Sequence, residues 1–249
     1  MIELKSFTKQ YGKKTAVSDI SFICPDCMIT GLIGANGAGK TTSLKAICGI
    51  HYPTEGSVVV DGVSVEENPV NAQLNIGYVS ENAVFPENYY VLEYLNECAC
   101  LRERAGSSIL SGKEAKKNQI SKVIELFSLE SVLDKKISAL SKGYRQRLSF
   151  AQAFIHEPSV LVLDEPVSGL DPLQISEMRN IISKAGKTKT VLLSTHFMQE
   201  AETLCDKIVF LHEGKKIAEG SSDEICSKAG TDKLEDAFIK LTAATVEIE

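Results

Sequence analysis

No apolar stretch of the 249-residue chain approaches the ~18–20 residues that cross a bilayer as a helix. Direct membrane insertion is therefore not expected, and any membrane association would come through a partner. The opening Met1-Ile2-Glu3-Leu4-Lys5 lacks the apolar core of a secretion signal, which makes the cytoplasm the expected location. A basic excess is missing too: 27 Lys and Arg stand against 33 Asp and Glu, a net charge of -6. That balance excludes the electrostatic footprint of a nucleic-acid binder. The lysine-rich stretch Lys113 to Lys122 is broken by Glu114 and by apolar residues, so it reads as a solvated helix face. A disulfide framework is also absent, because seven cysteines is an odd count in a cytosolic-looking chain. Cys24-Pro25-Asp26-Cys27 has C-x-x-C spacing. The second pair that a structural zinc needs is poorly supplied, since Cys98 and Cys100 stand C-x-C in a separate helical region. A hairpin turn between Ile20–Ile23 and Met28–Ile33 is the expectation there. No internal repeat, low-complexity tract or heptad run stands out.

What is present is an α/β pattern. Ile2 to Phe7 and Ala16 to Ile23 alternate around Tyr11-Gly12-Lys13-Lys14. Ile29-Thr30-Gly31-Leu32-Ile33 is a short apolar run ending at a glycine-rich loop, as a buried parallel strand does. Thr41 to Cys48 follows as a helix, Val58 to Val60 as a strand, and Asp61-Gly62 as a hairpin signal. From about Phe85 to Phe154 the period is helical, with Ile120, Val123, Ile124 and Phe127 at i, i+3, i+4, i+7. Strands then alternate with helices: Val160–Leu163, Ile175–Ala185, Thr190–Ser194, Met198–Leu204, Ile208–Leu211. Leu234, Ala237, Phe238 and Leu241 mark a short amphipathic helix in the tail. The expected architecture is a mostly parallel sheet with an N-terminal antiparallel β subdomain and an inserted helical subdomain.

Gly34-Ala35-Asn36-Gly37-Ala38-Gly39-Lys40-Thr41 fits G-x-x-x-x-G-K-[ST] between an expected strand and an expected helix. The four fixed positions would match by composition in only about one chain in a hundred of this length. Glycines let the backbone wrap phosphates with N–H groups inward, and the helix N-terminus adds positive potential. Lys40 is expected to bridge β- and γ-phosphate oxygens and the Thr41 hydroxyl to ligate Mg²⁺. Asp164 and Glu165 end the apolar strand Val160–Leu163, at the edge where parallel sheets bind ligands. Asp164 is expected to hold Mg²⁺, and Glu165 to orient and deprotonate the attacking water.

Between the loop and that acidic strand lies Leu140-Ser141-Lys142-Gly143-Tyr144-Arg145-Gln146-Arg147. Ser168-Gly169-Leu170-Asp171 and Ser194-Thr195-His196 follow. In this order the motifs resemble those of ATP-binding cassette (ABC) proteins over residues 1 to 220, with residues 221–249 as a short helical tail and the helical subdomain at roughly 85–155. The resemblance implies a P-loop NTPase core, ATP and Mg²⁺ as ligands, and a nucleotide set that includes Thr42 and Tyr11, the latter stacking on adenine. It further implies that His196 contacts the γ-phosphate and that Ser141 and Gly143 contact ATP bound to a second subunit. Asp171 would signal across that dimer. The implied partners are a second nucleotide-binding subunit, as homo- or heterodimer, and integral membrane permease subunits. These would hold the chain at the inner face of the cell membrane.

Two positions depart from the family's common form. Leu140-Ser141-Lys142-Gly143-Tyr144 stands where Leu-Ser-Gly-Gly-Gln is usual, and Lys142 is expected to snorkel into solvent. In Ile76-Gly77-Tyr78-Val79-Ser80-Glu81, Glu81 stands where the family usually has Gln, and it is expected to keep a Mg²⁺ contact. These departures, with Asp171-Pro172-Leu173-Gln174-Ile175 and Leu234 to Leu241, resemble ATPases of exporters related to multidrug and gliding-motility systems. The function so implied is an ATP-hydrolysing transporter subunit. Two alternatives remain: a soluble ABC ATPase acting on ribosomes or DNA, and a non-hydrolysing nucleotide-gated module.

Overall fold

The structure is a computed structural model and describes residues 1–246. In chain order its elements are β1 (Ile2–Tyr11), β2 (Lys14–Cys24), β3 (Ile29–Ile33), α1 (Lys40–Ile47), β4 (Glu55–Val60), β5 (Val63–Ser64), α2 (Pro69–Leu74) and β6 (Ile76–Val79). Three helices follow, α3 (Val91–Arg104), α4 (Lys113–Leu126) and α5 (Lys142–Phe154). Then come β7 (Val160–Asp164), α6 (Pro172–Gly186), β8 (Thr190–Thr195), α7 (Met198–Leu204), β9 (Lys207–His212), β10 (Lys215–Gly220), α8 (Ser222–Ala229) and α9 (Leu234–Val246). Residues 247–249 of the expected tail lie outside the described residues.

Two sheets form. One is antiparallel with order β2-β1-β4-β5, and the other has order β10-β9-β3-β8-β7-β6, parallel except at β10. Burial explains the division. Side chains alternate between inside and outside along most of β2, whereas β3, β7 and β8 are buried at every position. A strand of the second kind must be covered on both faces. Alternate residues of β7 accordingly enter different cores. Val160 and Val162 pack with β1, β4 and α1, while Leu161 and Leu163 pack with the helical segment α3–α5. The parallel sheet is thus sandwiched between the small antiparallel sheet on one side and helices on the other.

The hairpin expected across Cys24–Cys27 does not form. The turn exists, but β2 pairs with β1 and β3 pairs with β8 and β9, so it carries the chain from one sheet to the other. Cys24 is buried and its thiol is pushed up to about 12 by burial, while Cys27 is exposed. β6 and β10 also go beyond the sequence expectation, as do α2 and α8. β6 contains Gly77, where a Cβ would stand 2.3 Å from the Ala153 carbonyl oxygen; α5 can pack that closely only against glycine. In the tail, Leu234 and Ala237 are buried and Phe238 packs edge-on against Phe210.

His156, just past α5, is 4% exposed, and its Nε2 lies 3.1 Å from the Ile76 carbonyl oxygen. Burial, reinforced by the Arg102 cation, pushes its pKa down to about 3. The unfolded chain, with an ordinary value near 6.5, therefore binds a proton that the folded chain refuses. The stability is complete above pH ~6.5 and falls by up to about 1.4 kcal/mol per pH unit below it, toward the folded value. Denaturant unfolding at pH 7.0 and 5.5 should show a larger acid loss for the natural chain than for His156→Gln, which keeps a donor for Ile76. Equal losses would contradict this.

Candidate functional site

The C-terminal ends of β3, β6, β7 and β8 point to one edge of the parallel sheet, where open α/β folds bind ligands. β3 runs into Gly34–Gly39 and then α1. Gly39 caps α1 at φ 102°, a left-handed conformation, and a Cβ there would meet Val17 at 2.8 Å. The first N–H groups of α1, on Lys40, Thr41 and Thr42, have no acceptor within the helix, so the loop and helix present a row of donors. Lys40 is buried, and its Nζ donates to the carbonyl oxygens of Gly34 at 2.7 Å and Ala35 at 3.3 Å. Its charge lies along the loop and 3.5 Å from Glu165 Oε1.

β7 delivers Asp164 and Glu165, both buried. Glu165 adopts φ 49°, unusual for a side-chain-bearing residue and the kind of strain that surrounding bonds must hold. Those bonds come from Ser194 at the end of β8: the Glu165 N–H donates to its carbonyl oxygen at 3.2 Å and its hydroxyl oxygen at 3.1 Å. The same Ser194 hydroxyl donates to Asp164 Oδ1 at 2.6 Å. Ser194 therefore ties both acids to the neighbouring strand. The sequence reading quoted Ser194 only as part of a motif. One residue on, His196 Nδ1 lies 2.9 and 3.0 Å from the two Glu165 carboxylate oxygens. An ionised carboxylate only accepts, so Nδ1 carries the proton.

These groups surround a cavity of about 720 Å³ lined by Tyr11, Ala35 to Thr42, Glu81, Glu165 and His196. Gly34 and Asp164 lie at its floor, through Lys40 Nζ and Thr41 Oγ1, which donates to Asp164 Oδ1 at 3.2 Å. Tyr11 is 50% exposed, with the His51 ring edge-on at 5.9 Å and the Lys9 ammonium 5.3 Å from its centroid. It offers a flat aromatic face at the mouth. The donor chemistry at Thr41 and Asp164 suits Mg²⁺: hard oxygens, few in number. Among the described residues no group of three or more His, Cys, Asp or Glu could cage a metal. Glu81 sits exposed on the cavity wall.

Ser141 and Gly143 do not line this cavity. Ser141 is the N-cap of α5, accepting from the Tyr144 N–H at 3.4 Å, and is exposed. Gly143 lies beneath Gln174, whose side-chain oxygen would stand 2.6 Å from a Cβ there. Asp171 caps α6 by accepting from the Gln174 N–H at 3.0 Å. Lys142 is exposed, as expected, and its Nζ lies over Gly169, 1.9 Å from where a Cβ would be. Gly169 takes φ 69°, the left-handed region that favours glycine.

Residues 17–168 match the family model described as ABC transporter. The chain belongs to the ABC transporter family. It is similar to the probable multidrug ABC transporter ATP-binding protein YbhF of Escherichia coli (strain K12), at 37% identity over 247 residues. That match covers 97% of this chain and 41% of the relative, so the chain spans well under half of that protein's length. The bacitracin transport ATP-binding protein BcrA of Enterococcus faecalis is also 37% identical, over 227 residues covering 90% of this chain and 70% of that one. Among solved structures, an ATP-binding subunit of an ABC transporter superposes with a TM-score of 0.85 at 30% identity, covering 97% of this chain and 99% of that one.

Proposed function

We propose that this chain binds and hydrolyses ATP as the motor subunit of a membrane exporter, closing head-to-tail on a second cassette. One observation carries the reading. Lys40, Thr41, Asp164, Glu165 and His196 converge on one cavity, while Ser141 is exposed outside it at the start of α5, with Gly143 buried beneath Gln174 beside it. A γ-phosphate held by Lys40 can meet the hydroxyl and N–H groups at the start of α5 only if another cassette brings them.

In this mechanism the N–H groups of the loop and of α1 hold the phosphates, and Lys40 turns its ammonium from the Gly34 carbonyl toward the β- and γ-oxygens. Tyr11 stacks on the base. Thr41 and Asp164 would hold Mg²⁺, which would supply neutralisation of the phosphate charge. Glu165 takes a proton from water, His196 fixes its carboxylate through Nδ1–H, and burial keeps competing water away. Glu81, exposed on the wall of the same cavity, would keep a contact to that ion.

The permease is read from the segment after Glu81. Val84 is 94% exposed, and Tyr89, Tyr90 and Leu92 are exposed further along the same segment. Glu87 in that segment receives both Arg145 guanidinium nitrogens, at 2.8 and 2.7 Å. Tyr90 also bridges Lys136. A push on this segment therefore reaches α5, whose N-terminus carries Ser141. Among the described residues no helix is long and apolar enough to cross a membrane, so the crossing falls to the partner. Export rests on the multidrug and bacitracin relatives. The soluble reading, on ribosomes or DNA, is disfavoured by the net charge of -6.

The test is affinity purification of the tagged chain from its detergent-solubilised host membranes. A polytopic membrane protein should co-purify, and Glu87→Arg, which opposes Arg145, should weaken its recovery several-fold. Recovery only from the soluble fraction, with ribosomal or DNA-bound proteins, would overturn the transporter reading.

A further inference from the structure

Glu200 is a carboxylate buried to 1% exposure on the first turn of α7. Isolated buried carboxylates are expensive and need a reason. Its Oε2 accepts from the Thr195 hydroxyl at 2.6 Å, and its Oε1 has no partner among the described residues. Burial holds its pKa above the ordinary carboxylate range, with the Arg179 charge of α6 opposing that rise. Thr195, fully buried at the end of β8, also accepts from the Phe197 N–H at 3.0 Å. A single hydroxyl thus receives from one side of His196 in the chain and donates to α7. The Phe197 carbonyl oxygen in turn accepts from the Glu200 N–H at 3.2 Å.

We propose that Thr195 and Glu200 are positioning residues for His196: the relay from Phe197 N–H through Thr195 Oγ to Glu200 Oε2 fixes the backbone that aims the imidazole at Glu165. The geometry explains the direction of each bond. With its proton committed to Glu200, Thr195 Oγ must turn lone pairs toward the Phe197 N–H. That bond brackets His196 between two anchored neighbours, and Nδ1 comes to rest 2.9 Å from Glu165. Ser194 does the equivalent for the two acids, so successive hydroxyls at the end of β8 set the two halves of the catalytic pair. The inference rests on the reading of His196 given above.

The experiment measures ATP turnover for Thr195→Val, Thr195→Ser, Glu200→Leu and His196→Ala, alone and combined. Thr195→Val, which keeps shape and loses the hydroxyl, should lower kcat by about tenfold with KM for ATP within about twofold, since it disturbs the aim of His196 at Glu165 and leaves the phosphate-binding loop in place. Glu200→Leu should do the same, and Thr195→Ser should restore the rate. Thr195→Val added to His196→Ala should cost nothing further, because both act through one group. Where that residual rate is too slow to compare, the ¹⁵N shifts of the His196 ring should be displaced by Thr195→Val and restored by Thr195→Ser. A merely structural role would lower Tm and slow both backgrounds alike, and that result overturns the inference. So does normal turnover of Thr195→Val beside an inactive His196→Ala. Normal turnover of His196→Ala itself sinks the role of His196, and the inference with it.

Discussion

Glu165→Gln stops turnover, by about 10²- to 10⁴-fold as for a lost general base, and leaves ATP bound. Glutamine has the shape of glutamate and keeps an oxygen to accept from His196 Nδ1–H, now at 2.9–3.0 Å. The two bonds that Ser194 accepts from the Glu165 N–H involve only the backbone of residue 165 and survive, so the strained φ of 49° is still held. What disappears is proton affinity and one negative charge beside Lys40, 3.5 Å away. Phosphate binding should therefore be at least as tight as before, and the closed dimer should outlast that of the natural chain. Phosphate release, read beside equilibrium ATP binding, separates the two effects. Normal hydrolysis would end the assignment of Glu165 as the base.

Lys40→Ala and Ser141→Arg are each expected to abolish turnover for unrelated reasons. Lys40 is buried in the cavity floor, with its Nζ donating to the Gly34 and Ala35 carbonyl oxygens. Hydrogen bonds to charged groups contribute about 1.5–3 kcal/mol, so its loss should weaken ATP binding roughly 10- to 150-fold. Ser141 leaves that cavity untouched. Removing its cap on α5 costs about 1 kcal/mol of stability. The Arg side chain then blocks an anion site whose donors each contribute about 10²–10³ in rate. Ser141→Arg should thus bind ATP normally at its own cavity and still not turn over.

Much of the site was legible because its chemistry is local. Gly34 to Thr41 is contiguous, and the apolar run before it could only be a buried strand. Asp164 and Glu165 end another such run. The unread parts depend on pairing across sequence distance. Nothing near Ser194 says that its hydroxyl faces Asp164, 30 residues away, and nothing near Glu200 marks it as buried. The Cys24–Cys27 turn was misread for the same reason. A turn between two apolar runs looks like a hairpin unless one notices that β2 alternates while β3 does not. Lys142 was expected in solvent because long side chains snorkel, and it is exposed; that its tip lies over Gly169 was not legible. One omission was avoidable: Ser221 and Glu224 form a capping box at the start of α8, an S-x-x-E signal plain in the sequence.

The central claim is that each catalytic site is built from two chains, and mixing two inactive variants tests it. The Lys40→Ala chain keeps an intact Ser141 and the Ser141→Arg chain keeps an intact cavity, so a mixed dimer contains one complete site. With random pairing, half the dimers are mixed and each has one working site of two, so equimolar mixing should recover about a quarter of natural turnover. Turnover that stays at the mean of the two separate variants would contradict the account.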